Sequence, residues 1–198
     1  GKRFIRQETP LNGTDPFLGL ARGSVYFADM DNDGWLDIVS SGYGPNEGNL
    51  HVYWNNGDGT FSETGQHFYG SYDSSCALGD LNSDGYVDIV VTGYSRNKGG
   101  NAKSFFVYKN CGNRSFEMLN DAFCGFEGVD GATPSLGDVN HDGLPDILVG
   151  GHGAKHEITT WLYLNKGDFC FESYGAYYDD PFGKSGTFDR ISHGNNHL

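Results

Sequence analysis

The sequence predicts an all-β protein, a β-propeller with three recognisable four-stranded blades and partial blade strands at both ends. Three observations predict it: a nine-residue acidic window occurs three times, a Tyr-x-Asn-x-Gly-x-x-x-Phe pattern follows each copy, and 31 glycines against two methionines favour tight turns over long helices. Self-similarity at this period marks stacked supersecondary units, each too small to bury its own apolar face.

The windows are Asp29 to Asp37 (DMDNDGWLD), Asp80 to Asp88 (DLNSDGYVD) and Asp138 to Asp146 (DVNHDGLPD), with starts 51 and 58 residues apart. A strand-like run precedes each, Val25 to Ala28, Cys76 to Gly79 and Pro134 to Gly137. A largely β-branched run follows, opening at Ile38, Ile89 and Ile147, with Gly42, Gly93 and Gly151 expected to close it. The second pattern runs from Tyr53 to Phe61, Tyr108 to Phe116 and Tyr163 to Phe171. It reads as a third strand ending at the Asn, a Gly-centred turn and a fourth strand starting at the Phe.

Four short strands per unit is the size of a propeller blade. The expected blades span about 23–66, 73–121 and 131–175, with 1–22 and 176–198 as partial blade or closure strands. Phe4 stands where Phe61 stands, and Gly186 to Ser192 reads as a further first strand whose following loop, containing His193 and His197, has no carboxylate. Three blades are fewer than a ring needs. The expected remedy is further blades of a longer chain, or a second copy closing the ring.

Asp or Asn at window positions 1, 3, 5 and 9, with Gly at 6, curls a loop around one hard cation, and position 7 can offer its carbonyl. Oxygen-only donors suit calcium better than zinc, which favours His or Cys. The expected ligands of three calcium ions are Asp29, Asp31, Asp33, Trp35 and Asp37; Asp80, Asn82, Asp84, Tyr86 and Asp88; Asp138, Asn140, Asp142, Leu144 and Asp146. An EF-hand would need Glu at position 12, where this chain has Ser40, Val91 or Val149.

Over about residues 20 to 175 the windows and their following Asp-Ile-Val or Asp-Ile-Leu runs resemble the FG-GAP repeat, also described as the VCBS repeat, of integrin α-subunit propellers and many secreted microbial proteins. The resemblance implies a calcium-binding propeller that is extracellular, at a cell surface or periplasmic. The family includes adhesion receptors, sugar binders and accessory domains of polysaccharide-degrading enzymes, so fold alone leaves function open.

A net charge of −13 excludes a basic nucleic-acid-binding face, and no apolar run is long enough to span a membrane. Catalysis finds no G-x-S-x-G elbow or HExxH motif, and Gly183, Lys184 and Ser185 lack a phosphate-loop setting. Cys76, Cys111, Cys124 and Cys170 have no zinc spacing; buried thiols or a Cys111 to Cys124 bridge are both open. Asn12 and Asn113 fit the short glycosylation pattern.

Alternating strand direction puts the second-to-third loops and inter-blade links on the face away from the acidic loops. Tyr43, Tyr94 and His152 fall there at matching positions, with Tyr69, Tyr72, Phe123, Phe126, Tyr177 and Tyr178 in the links. Rings in Gly-rich loops suit sugar faces or a protein partner. The expected function is a non-enzymatic calcium-binding interaction module for a glycan or protein ligand, with calcium in a structural role; the alternative is a non-catalytic or catalytic part of a polysaccharide lyase or hydrolase.

Overall fold

The structure, a computed structural model, describes residues 17–44, 49–63, 65–66, 68–69, 71–95, 102–119, 128–153, 158–178 and 189–190. Among these it contains strands and no helix. The first sheet is β1 (Ala21–Ala28), β2 (Asp37–Tyr43), β3 (Asn49–Asn55) and β4 (Phe61–Glu63), in that order. The second is β5 (Tyr72–Gly79), β6 (Asp88–Ser95), β7 (Ala102–Asn110) and β8 (Phe116–Met118). The third is β9 (Asp130–Gly137), β10 (Asp146–His152), β11 (Ile158–Asn165) and β12 (Phe171–Tyr178), with β13 (Asp189–Arg190) added outside β12. Every neighbouring pair is antiparallel, giving three up-and-down blades that stack without closing a ring among the described residues.

The third strands end at Asn55, Asn110 and Asn165, and the fourth begin at Phe61, Phe116 and Phe171, as the pattern predicts. The first strands start four residues earlier than expected. Each carries a register shift near Arg22, Asp73 or Gly131, whose φ angles of 52°, 43° and 60° are left-handed, so a bulge twists the strand without ending it. The second strands run past Gly42, Gly93 and Gly151. A Cβ on Gly93 would lie 2.6 Å from the Cβ of Ser71 and 2.7 Å from the Tyr72 carbonyl oxygen, so the glycine permits close approach of the neighbouring strand.

The expected strand from Gly186 to Ser192 is represented by β13. It pairs on β12 through Tyr174 opposite Arg190 and Gly175 opposite Asp189, where a fresh sheet was expected. β12 is eight residues long where β4 and β8 have three, and so offers a long edge of unpaired backbone groups. This lengthening also puts Tyr177 and Tyr178 in a strand and not in a link. Phe4, Phe123, Phe126, Cys124, His193 and His197 lie outside the described residues.

Apolar residues on alternating strand positions pack the sheets together. Met30, Val39, Val52 and Trp54 meet Cys76, Ile89, Val91 and Phe106 across the first interface. Ala77, Leu81, Val90 and Val107 meet Ile147, Val149, Trp161 and Tyr163 across the second. The middle sheet is therefore covered on both faces, and Ile89, Val90 and Val91 are consecutively buried. Each such side chain contributes about 1.5–3 kcal/mol of burial. Cys76 is a buried free thiol pushed up to about 11 by desolvation, while Cys111 and Cys170 are exposed free thiols.

Candidate metal centres

Each acidic window joins the first strand of a sheet to the second, and one hydrogen-bond frame recurs in all three. The position-1 carboxylate accepts from the N–H groups of positions 5 and 6: Asp29 from Asp33 and Gly34 at 3.1 and 2.9 Å, Asp80 from Asp84 and Gly85 at 3.1 and 2.8 Å, Asp138 from Asp142 and Gly143 at 3.1 and 3.0 Å. The position-5 carboxylates of Asp33, Asp84 and Asp142 accept from the N–H of Trp35, Tyr86 and Leu144. Asn32, Ser83 and His141 at position 4, and Gly34, Gly85 and Gly143 at position 6, take left-handed φ near 60° and 90° to make this curl.

Position 9 anchors the loop from beneath. Asp37, Asp88 and Asp146 are buried, and each accepts one N–H from position 2 of its own window and one from the Asn ending the third strand, at 2.8–2.9 Å. Burial raises the Asp37 carboxyl above its ordinary value and pushes Asp88 up to about 7; the two backbone donors oppose the rise, while Asp84 and Asp80 add to it at Asp88. Asp142 is held low, first by the Leu144 N–H and then by the Asn140 amide.

The donor set fits a hard cation. Carboxylate oxygens of Asp29, Asp31 and Asp37 lie within 4.8 Å of one another, and the position-3 residue of the other loops, Asn82 or Asn140, is an amide oxygen donor. Carboxylates crowded this closely in part-buried surroundings repel one another by roughly 4 kcal/mol per pair. A bound cation reverses that sign. The side chains at position 7 lie over the turn between third and fourth strands: a Cβ on Gly57 would meet Trp35 Nε1, and one on Gly112 would meet Tyr86 Cζ, each at 2.9 Å.

At the opposite ends of the strands, Tyr43 and Tyr72 stack with ring centroids 5.0 Å apart, and Tyr94 pairs with Tyr72 across β5 and β6. Tyr72 opens β5, where a link was expected. His152 lies 3.6 Å from Asp130, and Tyr69 exchanges hydrogen bonds with the Tyr108 hydroxyl through its own backbone. The structure thus brings Tyr43, Tyr72 and Tyr94 together.

Two kinds of residue at these loops escape sequence reading. Asn110 and Asn165, read as turn residues, also donate at 2.7 Å to the carbonyls of Met30 and Leu81, position 2 of the preceding loop. Arg114, from the turn before β8, donates through Nε to Asp31 at 2.6 Å and lies 3.5 Å from Asp33. Only the fixed recurrence of Asn at 55, 110 and 165 hinted at the first role, and nothing local hinted at the second.

Comparison with known proteins agrees with this geometry. The FG-GAP-like repeat matches residues 29–91 and 80–149, spans that contain all three loops. Mouse integrin alpha-IIb is 35% identical over 96 residues, covering 46% of this chain and 9% of that protein. Human integrin alpha-IIb is 34% identical over 96 residues, with the same coverage, and rat integrin alpha-7 is 34% identical over 96 residues, 44% of this chain and 8% of that protein. The chain therefore spans under a tenth of these relatives' length. Three acidic loops with one hydrogen-bond frame on three up-and-down sheets, matched over residues 29–149, place the chain in the FG-GAP-like repeat family.

Proposed function

We propose that this chain is a calcium-binding interaction module working outside the cell or at its surface, with calcium in a structural role and a glycan or protein as ligand. The observation that carries the reading is the hydrogen-bond frame repeated in all three loops, which in the first leaves carboxylate oxygens of Asp29, Asp31 and Asp37 within 4.8 Å of one another. Three calcium ions would be held by the Asp and Asn side chains of those positions, with the carbonyls of Trp35, Tyr86 and Leu144 completing the shells. Loops of this class outside the cell bind calcium at about 10⁻⁴–10⁻³ M, so they would be occupied where the protein works.

The integrin relatives support a binding role over a catalytic one. So does the burial of each position-9 carboxylate beneath its loop, which keeps Asp37, Asp88 and Asp146 out of reach of a substrate. Tyr43, Tyr72 and Tyr94 are the favoured contact surface. The test is capture on a glycan array in millimolar calcium, with a chelator control. Selective calcium-dependent capture is expected, reduced about tenfold or more by Tyr43→Ala with the melting temperature unmoved. A blank array from folded, calcium-loaded protein would remove the glycan and leave a protein ligand. A collapse of stability in Tyr43→Ala would assign that ring to packing.

A further inference from the structure

The three loops differ at one ligand position. Position 3 is Asn82 in the second and Asn140 in the third, and in both the side-chain amide donates to the position-5 carboxylate, at 2.8 Å to Asp84 and 2.9 Å to Asp142. The first loop has Asp31 there, which carries a charge and has no proton to give Asp33. It therefore holds one more negative charge and lacks one internal hydrogen bond. Arg114 supplies both deficits from the second sheet: Nε donates to Asp31 Oδ2 at 2.6 Å and an Nη lies 3.5 Å from Asp33 Oδ2.

The guanidinium is held for this contact. It lies 5.4 Å over the ring of Trp54 in the first sheet, and its backbone takes φ 62°, where the matching turn residue of the first sheet is Gly59 at φ 87°. The second interface has the same pairing with the chemistry exchanged. There Lys109, which matches Trp54, lies 5.9 Å over Phe169, which matches Arg114, and 3.9 Å from Asp84. One cation thus stands beside the position-5 carboxylate of each of these loops, over an aromatic ring at the junction of two sheets.

We propose that Arg114 is the built-in counter-ion of the first acidic loop, replacing across the sheet interface the hydrogen bond that asparagine makes inside the other two. The cation affinity of this loop is thereby coupled to the packing of the first two sheets. The affinity part rests on the calcium reading above; the counter-ion part does not.

The experiment compares the unmodified chain with Arg114→Gln, Asp31→Asn and the double variant. Melting temperatures are read in chelator, and calcium binding by titration calorimetry. In chelator, Arg114→Gln lowers the melting temperature, and Asp31→Asn in the same chain restores it, because the introduced amide can donate to Asp33 as Asn82 donates to Asp84. In calcium, Arg114→Gln tightens one of the sites by on the order of tenfold, since a unit charge has left the neighbourhood of a divalent ion. A melting temperature unmoved by Arg114→Gln, or a loss that Asp31→Asn does not repair, overturns the counter-ion role. Unchanged affinity in a chain that binds calcium overturns the coupling. Absence of calcium binding by the unmodified chain counts against the calcium reading and the coupling together, while the chelator melts still decide the counter-ion role.

Discussion

Asp88 concentrates the residue-scale chemistry, because it is buried beneath its loop with both oxygens taken by backbone N–H groups. Burial pushes its carboxyl up to about 7, so the folded, cation-free protein keeps a proton there that the unfolded chain releases near its ordinary value of 3.8. Between those values the folded state binds more protons, and its stability contribution falls as pH rises toward 7. A cation needs the ionised form and competes with that proton. The melting-temperature gain from calcium over chelator is therefore expected to shrink from pH 7.5 to 5.5; a gain independent of pH would assign the loop's response to other ligands. At this scale the sequence was most readable where residue type alone dictates the chemistry, as with Asp, Asn and Gly at fixed loop offsets. Arg114 was unreadable because its partner Asp31 lies 83 residues away and the pairing exists only once two sheets stack.

Element boundaries were legible wherever a turn residue marks them. Asn55, Asn110 and Asn165 end their strands because each side-chain oxygen accepts the N–H two residues on, at 3.0 Å, which starts the turn. The bulges were hidden because Arg22, Asp73 and Gly131 share no residue type, and a left-handed φ at Arg or Asp leaves no mark in the chain. The same Asn side chain has a second task that separates the elements energetically. Asn110 Nδ2 bonds both Met30 and Val87 carbonyls, in buried surroundings, whereas Asn55 Nδ2 bonds the exposed Leu36 carbonyl. Asn110→Ala leaves the Met30 carbonyl buried without its donor and should cost about 1–3 kcal/mol more than Asn55→Ala in urea unfolding. Equal losses would mean that the shared turn, and not the inter-sheet bond, dominates.

At the scale of the whole molecule, the stacking of sheets decides what each copy of the repeat experiences. Position 2 of the acidic loop is Met30, Leu81 and Val139; the first two are fully buried against the following sheet, and Val139 is 57% exposed. Leu148, on the third sheet, is 43% exposed where the matching Val39 and Val90 are buried. The repeat announced that these positions are alike, yet periodicity cannot say which copy has a neighbour, since burial belongs to the stack and not to the unit. Met30→Ala and Leu81→Ala should each cost about 2–5 kcal/mol, the range for truncating a packed side chain. Val139→Ala should cost less than about 0.5 kcal/mol, as at a surface site. The measurement is urea unfolding of the three variants at fixed calcium and at two protein concentrations. A Val139 loss comparable to that of Met30, present only at the higher concentration, would mean that another copy of the chain seats on the third sheet through the surface the first two blades bury internally.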